Sequence, residues 1–354
     1  MNQPFSERPE RMEALIWTGP QQMHVDQIAL PQVGTDEVLV QITAAGICGS
    51  EISGYLGQNS LRVPPLVMGH EMAGVIVQPS PAPLRDGSLG AVGTPVVINP
   101  LITCGVCDMC QRGRLNQCRK RQLLGAHRPG GFAEFLATPA TLCTPLPVNV
   151  SLEAAVWVEP LACSLRAVRH AALQPDQPLL IIGAGPIGLG CIAAARMLGI
   201  ETILISDFVP ARLEAALAWG ATHAIKADTI KSPADLARYL PTGQAVEAVI
   251  DAVGVHASRE QAIRWVVPGG RVVFIGLHEE ESPIPANYLI RQEVTVTGSF
   301  CYNPSDFADA LVLLQSLPNM EQWLDLRPLR AGADSFAELV RGSNVVKITL
   351  LPGK

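Results

Sequence analysis

A four-residue apolar run followed at once by G-x-G-x-x-G constrains this chain most. Residues 179–182 read Leu-Leu-Ile-Ile, and Gly183-Ala184-Gly185-Pro186-Ile187-Gly188 follows before a helical pattern begins. The first glycine permits a tight turn, the second lets a pyrophosphate approach the backbone, and the third lets helix and strand pack closely. The helix N-terminus adds partial positive charge. Alone the motif is weak, because a Gly-rich turn in another α/β protein looks the same. Here a second strand pattern ends at Asp207, 22 residues beyond Gly185. A carboxylate there can accept both adenosine ribose hydroxyls and would repel a 2′-phosphate, so the pair argues for NAD over NADP. Arg212 is the counter-signal, since a nearby arginine can accommodate that phosphate.

The motif sits in a longer rhythm. From about residue 161, strand patterns at 179–183, 202–207, 223–226, 246–253, 271–276 and 294–298 alternate with helical stretches such as 188–198 and 210–219. Such alternation implies right-handed crossovers and a doubly wound parallel sheet. The first half instead has short apolar runs broken by Gly and Pro, at 37–42, 73–77 and 94–98, the texture of a β-rich domain with long loops. After residue 300 a helix at 304–317 and a last strand at 345–350 are expected.

Several classes of protein are disfavoured. The uncharged segment 179–195 approaches a membrane span in length, but its four glycines and Pro186 would weaken a lone spanning helix. A formal net charge of -6, with no basic block beyond Arg119-Lys120-Arg121, argues against nucleic acid as a partner. The first residues, Met1 to Met12, lack the apolar stretch of a secretory signal, which places the nine cysteines in a reducing cytoplasm.

Four of those cysteines, Cys104, Cys107, Cys110 and Cys118, form C-x2-C-x2-C-x7-C. Two-residue spacers let a turning backbone aim successive sulfurs at one point, which suits a closed tetrahedral zinc site. An iron-sulfur cluster and a disulfide pair are the competing readings. The ferredoxin spacings differ, and nothing in the sequence points to oxidising surroundings. A second constellation is dispersed: Cys48, within Gly46-Ile47-Cys48-Gly49-Ser50-Glu51, and His70, within Gly69-His70-Glu71, offer a thiolate and an imidazole on separate turns, as an open catalytic zinc site needs. Taken singly, a cysteine is more often a small buried hydrophobe and a histidine more often structural. His70-Glu71 is not a zincin signature either, because Gly74 stands where a second histidine would.

The two segments around Cys48 and His70 join the four-cysteine lobe, Gly130-Gly131-Phe132-Ala133-Glu134, Val158-Glu159-Pro160-Leu161-Ala162, the glycine motif and Asp251-Ala252-Val253-Gly254 in one ordered set. In that set the chain resembles the zinc-dependent medium-chain dehydrogenases over nearly its full length, most closely the polyol branch of sorbitol, threonine and butanediol dehydrogenases. The resemblance implies a GroES-like β-rich catalytic domain from residues 1–160 and 300–354, with a Rossmann domain at 161–299. It implies an NAD-dependent oxidation of a secondary alcohol or polyol to a ketone, two zinc ions per subunit, and a homotetramer, with a dimer as the alternative. A primary alcohol or aldehyde oxidoreductase is the second reading, and a non-catalytic dehydrogenase-like binding protein the third. Cys48 and His70 would bind catalytic zinc, with Glu159 in the third position directly or through water. Glu71 would be a neighbour able to approach the metal, and Ser50 the hydroxyl that receives the substrate's proton. Gly183, Gly185, Pro186, Ile187, Gly188, Asp207, Arg212 and Phe300 would lie against NAD.

The chain departs from the family pattern in three places. Members commonly carry an aspartate directly after the Ser/Thr, orienting the zinc-bound histidine, where this chain has Glu51, one methylene longer. Many carry a relay histidine three residues beyond that hydroxyl, where this chain has Ser53. Proton exit is then expected through water or the nicotinamide ribose. Sorbitol dehydrogenases tend to show Phe-Arg-Tyr where this chain has Phe300-Cys301-Tyr302, which argues against assuming a sorbitol-like ligand.

Overall fold

The computed structural model describes residues 9–354, so residues 1–8 of the N-terminal stretch lie outside the described residues. By contacts the chain falls into two units: residues up to Glu159 with Leu314–Lys354, and Pro160–Leu313. The second boundary falls inside the helix Pro304–Ser316, where the sequence reading put it at 299/300.

The unit Pro160–Leu313, inner only in the sense that the two chain segments of the other, outer unit flank it in sequence, is built on six parallel strands, which include all six strand patterns from the sequence. In spatial order they run His223–Lys226, Ile203–Asp207, Leu179–Ile182, Ala248–Asp251, Arg271–Phe274, Thr295–Gly298. In chain order that is third, second, first, fourth, fifth, sixth, the Rossmann arrangement. The central strands are apolar runs without alternation, because helices cover both faces of a parallel sheet. Leu180, Leu204, Val249 and Val272 are each fully buried in one core. Pro186 and Pro210 stand at the first turns of the helices Pro186–Met197 and Pro210–Ala218, where the missing N–H costs nothing.

The outer unit is β-rich. A sheet runs Cys143–Pro145, Pro95–Ile98, Glu71–Gln78, Glu37–Gly46, Lys347–Leu351, Leu324–Pro328, and Phe135–Pro139 also pairs with Glu37–Gly46. The C-terminal strand Lys347–Leu351 thus pairs antiparallel with the strand leading to Cys48. A hairpin of Arg11–Gly19 and Gln22–Ala29, joined by Leu66–Val67, makes a separate three-stranded sheet. Trp17, Phe132 and Phe336 anchor its core, with the Phe132 and Phe336 rings edge to face. Among the described residues no helix is long and apolar enough to cross a membrane.

Candidate active site and metal centres

One antiparallel strand pair brings the dispersed constellation together. Glu37–Gly46 pairs with Glu71–Gln78, and its last rung sets Gly46 opposite Glu71. Cys48 follows the end of one strand and His70 precedes the start of the other, so ligands 22 residues apart become neighbours. The ligand atoms of Cys48, His70 and Glu71 all lie within 4.8 Å of one another. Cys48 caps the short helix Gly49–Tyr55, which carries Ser50 in its first turn with Oγ 3.5 Å from the Cys48 sulfur.

Glu51, on the same helix, is fully buried and spans both ligand segments. One carboxylate oxygen lies 2.7 Å from His70 Nδ1 and accepts from Gly69 N–H at 2.8 Å; the other accepts from Cys48 N–H at 3.1 Å. With Nδ1 so engaged, Nε2 is the nitrogen left for a metal. Burial disfavours the charged imidazole, yet the Glu51 carboxylate and the Cys48 sulfur beside it hold His70 well above its ordinary pKa. Burial likewise pushes Glu51 up, but the His70 charge and hydrogen bond bring it below the usual carboxylate value. The longer side chain thus reaches His70 Nδ1, the contact that orienting a metal-bound imidazole would require.

The acid in the three-residue cluster is Glu71, and Glu159 is not a member of it. Glu159 is buried in the first turn of the helix Val158–Ala171. Glu71 forms an ion pair with Lys347, both side chains buried. The Lys347 ammonium also lies 5.4 Å from the Trp157 ring centroid. Lys347 was missed in the sequence, although a lone lysine inside the apolar run 345–351 signals a buried partner. Ser53 does not replace a relay base, as its hydroxyl turns back to the Gly49 carbonyl at 3.4 Å.

In the four-cysteine lobe, the strands Leu101–Ile102 and Gln122–Leu123 pair at its base. Sulfur separations are 4.0 Å for Cys104–Cys110, 3.6 Å for Cys107–Cys110, 3.9 Å for Cys107–Cys118 and 3.5 Å for Cys118–Cys104. Four sulfurs each about 2.3 Å from a tetrahedral zinc stand about 3.8 Å apart, so the set fits that ion. Backbone N–H groups of Arg119 and Cys110 bring the Cys107 thiol down to about 6, whereas burial pushes Cys110 up to about 12. Outside the sulfurs, the Arg119 guanidinium grips both oxygens of Asp108, at 2.6 and 2.9 Å.

In the inner unit the glycine loop lies at the carboxyl end of the first strand, and a Cβ at Gly188 would stand 1.8 Å from the Gly183 carbonyl oxygen, which only glycine allows. Space at Gly185 is open, and no side chain caps that helix N-terminus. An anion such as a pyrophosphate fits there. Asp207 ends the second strand and accepts from Ala184 N–H at 2.7 Å and Val209 N–H at 2.9 Å, which ties the loop to the strand end. Arg212 and Ile187 lie in the first turns of the two following helices. Phe300, with Gly276, Leu277 and Ser299, lines a cavity of about 1030 Å³ past the fifth and sixth strands.

A Rossmann unit with an open phosphate cradle, together with a β-rich unit holding a Cys/His/Glu cluster and a four-thiolate lobe, is the set of parts that a metal-dependent dehydrogenase with a dinucleotide cofactor requires. The alcohol dehydrogenase GroES-like domain matches residues 34–148 and the zinc-binding dehydrogenase domain residues 186–316. L-galactonate-5-dehydrogenase of Escherichia coli (strain K12) is 33% identical over 84% of this chain and 85% of that protein. The crystal structure of 2R,3R-butanediol dehydrogenase from Bacillus subtilis matches with a TM-score of 0.85 and 26% identity, over 97% of this chain and 100% of that one. A Sinorhizobium meliloti zinc-binding dehydrogenase bound to NADP matches with a TM-score of 0.86 and 28% identity, over 97% of this chain and 100% of that one. The chain belongs to the zinc-binding alcohol and polyol dehydrogenase family.

Proposed function

We propose that this chain oxidises a secondary hydroxyl of a polyol or sugar acid to a ketone, with NAD as the acceptor and two zinc ions per subunit. The observation that carries the reading is the cluster of Cys48, His70 and Glu71 with the Ser50 hydroxyl beside it. The Cys48 thiolate and His70 Nε2 would hold the catalytic zinc, Glu159 would take the third position, directly or through water, and Glu71, the acid clustered with these two ligands, would be able to approach the metal. Cys104, Cys107, Cys110 and Cys118 would hold the structural ion. When bound, zinc would supply Lewis acidity toward the substrate hydroxyl, and NAD would supply the acceptor for the hydride of the same carbon. Ser50 receives the hydroxyl proton and passes it to solvent or ribose. Glu51 keeps the His70 ring in the tautomer and tilt that ligation requires. Gly183, Gly185, Pro186 and Gly188 would cradle the pyrophosphate, Asp207 the adenosine ribose, and Ile187, Arg212 and Phe300 would flank the dinucleotide.

Cofactor choice rests on Asp207, whose oxygens each take one backbone N–H and keep a lone pair for a ribose hydroxyl. A homotetramer, with a dimer as the alternative, is what the resemblance to the polyol branch supports, and a cytoplasmic location is in keeping with the dehydrogenase family. The test is NAD reduction followed spectrophotometrically, with threonine, butanediol, sugar alcohols, sugar acids and phosphorylated polyols, before and after chelation. Chelator-sensitive turnover on one of these is expected. No turnover with a fully zinc-loaded protein would remove the reading.

A further inference from the structure

Arg62 lies 5% exposed against the helix that carries Ser50. Its Nη2 donates to Ser50 Oγ at 3.3 Å, its Nη1 to the Ser50 carbonyl at 3.1 Å, and its Nε to the Gly125 carbonyl at 3.2 Å. No carboxylate lies within ion-pair distance of it among the described residues, although its charge acts on the nearby Glu51 carboxylate, and its hydrogen bonds go to three neutral oxygens, two of them from one serine. The chain makes room for that approach. A Cβ at Gly54 would stand 2.6 Å from Arg62 Cδ. An added methyl there would press on the stem that carries the guanidinium to Ser50.

We propose that Arg62 is the positioning residue of the Ser50 hydroxyl. The inference rests on the dehydrogenase reading above and extends it to a residue that no motif marks. A guanidinium can only donate, so Ser50 Oγ must accept from it, and the hydroxyl's rotamer and free directions are set by that bond. Ser50 is thereby held in one orientation beside Cys48, in a chain whose position 53 offers no histidine to do so. Arginine stays charged at all working pH values. It therefore orients the hydroxyl and carries no proton onward, and the proton leaves by solvent or ribose. A purely structural arginine would tie the Gly125 loop to the helix and leave turnover alone. A substrate-binding arginine would act on KM for anionic substrates.

The experiment compares Arg62→Ala, Arg62→Lys and Gly54→Ala with the unmodified zinc-loaded enzyme. Losing a hydrogen bond from a charged donor predicts a kcat about 10- to 100-fold lower for Arg62→Ala, with zinc content, NADH affinity and alcohol KM little changed. Millimolar guanidinium added to Arg62→Ala should restore part of kcat. Arg62→Lys and Gly54→Ala should fall between, and they carry the test if the alanine variant does not fold. A reading independent of turnover comes from arginine side-chain 15N spectra. The signal that vanishes in Arg62→Lys should shift in Ser50→Ala. Unchanged kcat in zinc-replete Arg62→Lys and Gly54→Ala, no such shift, or a loss confined to KM for carboxylate substrates would overturn the proposal. Absence of turnover in the unmodified zinc-loaded enzyme would overturn the dehydrogenase reading itself, and the proposal with it.

Discussion

Glu51 Oε1 sits 2.7 Å from His70 Nδ1, and the same carboxylate holds backbone N–H groups of both segments that supply metal ligands. One side chain, a methylene longer than an aspartate, thus reaches across both. Glu51→Gln keeps the volume but places a donor where a second acceptor is needed. Zinc affinity at the Cys48/His70 site should fall about 10- to 100-fold, as for other lost partners of a ligating histidine. A competition titration with a zinc indicator reads this directly, and an unchanged affinity would show that His70 is oriented by something else.

Metal removal should occur in two stages. The four-thiolate lobe is closed, whereas the Cys48/His70 site must keep a position open for substrate, so a chelator should take the second ion first and activity with it. Loss of the lobe's ion should follow more slowly, with unfolding confined to that segment. Elemental analysis alongside activity checks the order. One zinc or none in a fully active protein would sink the two-ion assignment.

Asp207 should make NAD strongly preferred over NADP. Asp207→Ser removes the acceptor of the ribose hydroxyls and the charge that repels a 2′-phosphate, so the preference should narrow from both sides, with Arg212 then favouring NADP. The carboxylate also takes Ala184 N–H, so the variant should loosen the glycine loop as well. Equal use of the two cofactors by the unmodified enzyme would contradict the assignment.

Glu71 and Glu159 separate by what each removal leaves behind. Glu71→Gln strips the buried Lys347 ammonium of its carboxylate and should cost about 3–5 kcal/mol of stability, because an uncompensated charge stays in the interior. Glu159→Gln should lower turnover far more than NAD affinity if its carboxylate serves the metal. As a residue favouring a helix N-terminus alone it would contribute only about 0.3–1 kcal/mol. Turnover, zinc content and melting temperature for both variants decide the matter. Full turnover in Glu159→Gln with a lower melting temperature would return Glu159 to a helix-end role and leave Glu71 as the acid at the metal.

What was legible in the sequence was local in physical origin. Cys104, Cys107, Cys110 and Cys118 lie within one short loop, and the turn at Gly183 to Gly188 is written in consecutive residues, so spacing alone conveys their geometry. The six strands of the inner sheet were visible for a similar reason: strands buried on both faces read as apolar runs. The site around Cys48 was weakly legible from its residues and gained weight only through the resemblance, because no spacing rule joins Cys48 to His70. Their meeting is decided by the pairing of Glu37–Gly46 with Glu71–Gln78. Tertiary structure alone decided the rest. Glu51 could be seen to reach both ligand segments only once they were folded side by side. Lys347 arrives at Glu71 because the C-terminal strand joins the sheet next to the strand leading to Cys48. Arg62 meets Ser50 across a glycine whose missing Cβ leaves the gap. Side chains with long reach find partners wherever packing brings them, and no local pattern in a chain records where that will be.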